Sequence, residues 1–167
     1  MKVLGVDPGT AVLGFGVVEA GSPATLVECG VVRTAADRTL ASRLGTIHEG
    51  IVELVARHRP DAIAVEGVFY GKNVRSAIVL SHARGVILLA AHQAGIPTYE
   101  YSPAQVKKSV VGRGAALKPQ VGYAVAQLLR LKTAPKPADA ADAVAIALTH
   151  LLIGAARTRL ALLRSRA

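Results

Sequence analysis

Cysteine is almost absent from this chain. A single thiol, Cys29, cannot close an internal bridge, and no second cysteine or spaced histidine pair supplies the usual ligands of a structural zinc site. The fold must rest on its core, with Cys29 as buried filler. Long apolar runs are missing too. The richest stretches, Gly85 to Ala91 and Ala143 to Ala156, are short or interrupted by Thr149 and His150, whereas a membrane-crossing helix needs about 20 uninterrupted apolar residues. Between Met1 and Asp7 there is no room for the charged and hydrophobic segments of a secretory signal, so the expected location is cytoplasmic. Acids are scarce: 11 Asp and Glu stand against 20 Lys and Arg, a formal charge of +9. That bias favours polyanions, because phosphate contacts release condensed counterions, and it makes nucleic acid the leading partner. Many basic proteins bind no DNA, so the placement of particular residues has to decide.

What is present describes a well-packed chain. With 167 residues, 51% of them hydrophobic and 19% charged, it is long enough for a real core and far from the composition of a disordered protein. Strand-like alternation runs over Lys2 to Val6, Leu13 to Glu19 and Thr25 to Arg33, with turns at Asp7-Pro8-Gly9 and Gly21-Ser22-Pro23. Leu40, Leu44, Ile47, Ile51, Leu54 and Val55 recur at three-and-four spacing and predict an amphipathic helix from Leu40 to His58. Asp61 to Val65 reads as a buried strand, Val74 to Ala94 as a second long helix, and Ile96 to Tyr101 as a fifth strand. Ser102-Pro103 opens a helix that stops near Gly112; Lys118-Pro119 opens another through Leu131, and a last one runs from Ala138 to Ile153. The pattern predicts an α/β fold with a mixed sheet. We expect a domain over residues 1–156 and a basic tail over 157–167, for which disorder is allowed.

Four of the few acids sit where the sequence predicts burial or the end of a core strand, where ionised carboxylates are costly unless paired. Asp7 ends the first strand and Glu66 follows the apolar run Ala62 to Val65. Asp139 and Asp142 are three residues apart, which puts both on one helix face among small neighbours. Each has a plain alternative when taken singly: a turn aspartate, a strand-end glutamate, a helix cap. If the last helix packs beside the first and fourth strands, the four converge, and divalent cations with oxygen ligands relieve their repulsion most simply. Two such ions roughly 4 Å apart suit phosphodiester hydrolysis.

Gly5-Val6-Asp7-Pro8-Gly9-Thr10, Val65-Glu66-Gly67-Val68-Phe69, Ala83-Arg84-Gly85 and Ala138-Asp139-Ala140-Ala141-Asp142-Ala143 resemble RuvC resolvases in order and spacing. The resemblance implies a ribonuclease H-like fold, with a mixed five-stranded sheet flanked by helices. It also implies a homodimer working with branch-migration machinery, and Mg2+ (or Mn2+) dependence with two ions per site. The implied activity is that of an endonuclease making paired symmetrical nicks across Holliday junctions during recombination and repair. Carried over residue by residue, the catalytic and metal-holding quartet falls on Asp7, Glu66, Asp139 and Asp142. The aromatic residue that meets unpaired bases falls on Phe69, and the phosphate-contacting lysines on Lys107 and Lys118. Lys72, Asn73 and Arg113 lie in loops that would read the DNA, and His150 need not be catalytic. An aromatic in a glycine-flanked loop can also stack on an unstacked base by its own chemistry, the plainer alternative being an anchor of the loop to the core. Two rivals stay open: an actin-like or sugar-kinase-like ATP-binding protein, which shares Asp7-Pro8-Gly9-Thr10 but would need further glycine-rich loops, and a non-catalytic module that binds branched DNA.

Overall fold

The computed structural model describes residues 1–67 and 74–164. Five strands, β1 (Lys2–Asp7), β2 (Val12–Glu19), β3 (Thr25–Arg33), β4 (Ala62–Glu66) and β5 (Thr98–Tyr101), form one mixed sheet in the order β3-β2-β1-β4-β5. The first three strands are an antiparallel meander, and β4 and β5 join parallel to β1. The parallel additions need crossovers, and the helices α1 (Leu40–His58) and α2 (Val74–Gln93) supply them. After β5 come α3 (Pro103–Val111), α4 (Lys118–Leu128) and α5 (Ala138–Arg164). This is the ribonuclease H-like, α/β architecture expected from the sequence. None of the described helices is long and apolar enough to cross a membrane.

Strand alternation separates two cores. Leu4, Val6, Leu13, Phe15, Val17, Ile63 and Val65 point to the face under α1 and α2, where Ile47, Ile51, Leu54, Ile87 and Ala91 meet them. Val3, Val18, Ala64 and Tyr101 point to the other face, under α3, α4 and α5. At about 1.5–3 kcal/mol per fully buried aliphatic side chain, these two layers hold the sheet.

Several boundaries differ from the sequence expectation, each for a local reason. The fifth strand begins at Thr98 because the Ile96 N–H turns back to the Ala91 carbonyl at 3.0 Å and closes α2. The fourth helix ends at Leu128, short of Leu131, since Arg130 adopts a left-handed φ of 52°. The last helix runs past Ile153 to Arg164: Gly154 alone does not stop it, and no proline follows. Cys29 is half-buried against the α5-side core, on the sheet's edge strand β3, rather than fully buried. In α2, Ala90 faces inward, while Ile78 and Leu89 are about half exposed at 53% and 51%.

Candidate active site

Asp7 closes β1 and Glu66 closes β4. The strands are parallel, with Val6 beside Val65, so both carboxylates leave the sheet at the same end. Alternation sets their side: Asp7 shares the face of Val3 and Gly5, and Glu66 that of Ala64, the face that α5 covers.

Glycine brings α5 down onto them. Gly14 lies opposite Asp7, and Gly16 opposite Gly5. A β-carbon on Gly5 would stand 2.1 Å from the Ala143 carbonyl oxygen, one on Gly14 2.1 Å from that of Asp139, and one on Gly16 2.8 Å from the Val144 nitrogen. All are far inside van der Waals contact, so only glycine lets the helix backbone rest on the strands. Ala140, Ala143 and Ala147 meet the strands from the helix and are fully buried. The first turns of α5, with Asp139 and Asp142, are thereby set beside Asp7.

Asp7, Glu66, Asp142, Pro8, Lys107 and Lys118 line an open cleft of about 350 Å³. Asp139 is not in its wall, but it is near enough for its charge to act on Asp7. Burial first, then the charges of Glu66, Asp142 and Asp139, push the Asp7 carboxyl up to about 7, against a small opposing effect of Lys118. Burial and Asp142 raise Glu66 as well, opposed by Lys118 and Lys107. Lys118, the first residue of α4, donates to Asp142 Oδ2 at 2.8 Å, and that bond and charge hold its ammonium above the ordinary lysine range. With Lys118 73% exposed, the pair is worth no more than about 1 kcal/mol and is easily exchanged for another cation.

The donor chemistry fits hard divalent cations. The acids offer only carboxylate oxygens, the ligands such ions prefer, and burial together with crowded charge has already made Asp7 reluctant to ionise. Among the described residues, no group of three His, Cys, Asp or Glu is drawn together tightly enough to enclose an ion.

Of the residues singled out in the sequence, Asp7, Glu66, Asp142, Lys107 and Lys118 meet in this cleft, and Asp139 flanks it. Arg113 is exposed in the loop between α3 and α4 and does not line the cleft. Phe69, Lys72 and Asn73 lie outside the described residues. His150 is buried away from the cleft, its Nδ1 2.7 Å from the Tyr101 hydroxyl. Sequence reasoning missed Arg43 of α1. Its Nε donates to the Thr10 carbonyl at 3.0 Å and to Thr34 Oγ1 at 3.1 Å, and its second terminal nitrogen to Thr10 Oγ1 at 3.1 Å. Thr10 ends the turn after Asp7, so the guanidinium fixes that turn from the opposite layer. Local pattern carries no signal for it. The glycine stripe did leave one, in the spacing of Gly5, Gly14 and Gly16 on facing strands.

A family model described as Crossover junction endodeoxyribonuclease RuvC matches residues 3–150. A protein of that name from Pelotomaculum thermopropionicum is 49% identical over 90% of this chain and 92% of its own length. The Thermus thermophilus RuvC structure superposes with a TM-score of 0.87 at 41% identity, covering 95% of this chain and 98% of that one. T. thermophilus RuvC in complex with Holliday junction substrate gives 0.85 at 39% identity, over 92% and 95% of the two chains.

Proposed function

The chain belongs to the RuvC family of crossover junction endodeoxyribonucleases, and from that premise we propose how its cleft performs the family's reaction. The protein is a nuclease that resolves Holliday junctions in recombination and repair. The ATP-binding and non-catalytic readings fall away, because neither accounts for membership in this family. Metal dependence goes with the family; Mg2+, replaceable by Mn2+, and a count of two ions are our assignment.

Asp7, Glu66, Asp139 and Asp142 would hold the ions. When bound, such ions supply a water acidic enough to attack at neutral pH and positive charge for the leaving oxygen. The chain's own residues do the rest. Lys107 and Lys118 present ammonium groups in the same cleft, where they can take the non-bridging oxygens of a phosphodiester. Lys118 would be free for that task if Asp142 held a cation, since its bond to Asp142 is weak. The single observation that carries this site is the meeting of Asp7, Glu66 and Asp142 with Lys107 and Lys118 in one cleft; burial and the neighbouring carboxylates raise the Asp7 carboxyl, and bound cations would favour its ionised form.

We assign Phe69 to stack on unpaired bases at the crossover, with Lys72, Asn73 and Arg113 as further DNA contacts. A junction has two equivalent strands to cut and each chain one acidic cleft, so paired nicks call for a twofold dimer. The exposed Ile78 and Leu89 on α2 supply apolar surface for it. Branch-migration machinery is the partner that this role implies. Residues 1–156 would form the nuclease domain, and 157–167 a basic extension that α5 enters.

The test uses a synthetic mobile four-way junction. Wild-type protein should nick it only with a divalent cation. Asp7→Asn should bind it with unchanged affinity and cut it at least about 10³-fold more slowly, roughly 4 kcal/mol of lost transition-state stabilisation. Cation-independent cutting, or full activity in that variant, would refute the site. Phe69→Ala should cut more slowly at the junction centre while remaining folded.

A further inference from the structure

A second hollow, of about 820 Å³, lies against the cleft, and Lys118 and Asp142 line both. The rest of its wall is of another kind. Pro119 and Gly122 come from α4, Ala138 and Ala141 from α5, and residues 133–137 from the segment that joins the two helices. Pro135 and Pro137 make that segment stiff and apolar, while Lys136 and Thr133 bring polar groups to its edge. The volume falls within the range of about 300–1,000 Å³ that pockets for organic ligands occupy. Asp142, already engaged by Lys118, is the one acid in the wall among the described residues. An apolar trough edged by ammonium groups suits a ligand with a flat hydrophobic body and an attached anion. Nothing in the cleavage reaction as described uses this space, yet it shares a wall with the place where the scissile phosphate would sit.

We propose that this hollow is a subsite for one unstacked nucleotide of the DNA, next to the scissile phosphate, with its base against Pro119, Pro135 and Pro137 and its outer phosphate on Lys136. The proposal rests on the nuclease reading and deepens it, because it gives the enzyme a second place at which to sense sequence. A base can enter only by leaving its stack, which costs least where stacking is already interrupted, as at a crossover. The apolar walls accept any base face, so discrimination comes from size and from the Thr133 hydroxyl.

The experiment places 2-aminopurine, which brightens on unstacking, singly at each nucleotide flanking the cleavage position of a four-way junction. The junction is bound to full-length Asp7→Asn protein so that it stays uncut. At one flanking position, binding should raise the fluorescence by about threefold or more. Adding Gly122→Leu should abolish that rise while the junction Kd stays within about threefold. The new side chain starts inside the hollow, since a β-carbon on Gly122 meets only the Ala134 β-carbon at 3.4 Å, and leucine is the better helix former, so the fold is kept. Lys136→Ala should reduce the rise without removing it. No brightening at either position, or brightening that survives Gly122→Leu, overturns the subsite. A wild-type protein that neither binds nor cuts any four-way junction would instead bring down the nuclease reading beneath it, and that control is read separately.

Discussion

The two faces of the sheet are built by opposite means. Under α1 and α2, branched and aromatic side chains fill the space: Leu4, Phe15, Val17, Ile47, Ile51 and Ile63 hold helix and sheet apart at side-chain distance. Under the first turns of α5 the side chains have been pared away, and Gly5, Gly14 and Gly16 admit the helix backbone itself. The first kind of contact has slack, because rotamers can readjust when one methyl group changes. The second has none. The proposed chemistry sits on the second face, where Asp139 and Asp142 belong to a helix whose height above the strands is set by backbone against backbone. The same substitution, glycine to alanine, should therefore have opposite consequences beneath α5 and on the outer surface of α1.

Gly14→Ala should have the largest effect on the fold. The new methyl group would lie 2.1 Å from the Asp139 carbonyl oxygen and 3.2 Å from the Asp139 β-carbon, so it pushes directly on the residue that carries a site carboxylate. Overpacking of this kind costs about 1–3 kcal/mol where side chains can yield, and here no side chain stands between to yield. We expect at least about 3 kcal/mol of lost stability, read as a lower urea midpoint, and cleavage reduced more than junction binding. Wild-type activity with an unshifted midpoint would show that α5 rides over the strands with more freedom than its contacts suggest.

The next effect separates what the acidic face does for chemistry from what it does for stability. Asp7 is raised from 3.8 to about 7, so between those values the folded chain keeps a proton that the unfolded chain has released. The favourable contribution is complete below about pH 4 and is lost as pH rises through 7. Glu66, also raised, acts in the same direction. Without divalent cations, Asp7→Asn should therefore be more stable than the wild type at pH 8. The gain should be on the order of 2 kcal/mol, about half of what the full shift would give, because the cleft is open to solvent. The gap should close as the pH falls towards 4, in thermal melts run with a chelator. A gap of constant size across that range would mean that ionisation of the buried Asp7 carboxyl is not its source.

The contrast between the faces also explains what could be read in the sequence. The α1–α2 face is written in local periodicity: the three-and-four spacing of Leu40 through Val55 fixed the first helix to its observed limits, Leu40–His58. The C-terminal ends of the first and fourth strands were legible to within one residue, and with them Asp7 and Glu66. Asp139 and Asp142 were legible as a pair on one helix face. What the pattern did not carry was contact between distant backbones. That Gly14 makes room for Asp139 depends on a strand and a helix separated by most of the chain, and the Lys118–Asp142 bond and the Arg43 grip on Thr10 are of the same long-range kind. Helix ends failed where one residue's backbone angle decided them, as at Arg130.

The smallest effect is the control that gives the comparison its meaning. Gly45 lies in the middle of α1, exposed, and a β-carbon there meets nothing within 4 Å. Alanine at this position forfeits no close approach and removes the excess backbone freedom that glycine has in the unfolded chain. Gly45→Ala should therefore stabilise the protein by about 0.5–1 kcal/mol and leave junction cleavage unchanged. The urea midpoint should move up with no change in its slope, since the surface exposed on unfolding is hardly altered. Had glycine been placed at both positions for flexibility alone, Gly45→Ala and Gly14→Ala would shift stability in the same direction. Opposite signs from one added methyl group would show that the acidic face depends on the absence of a side chain where the outer surface of α1 does not.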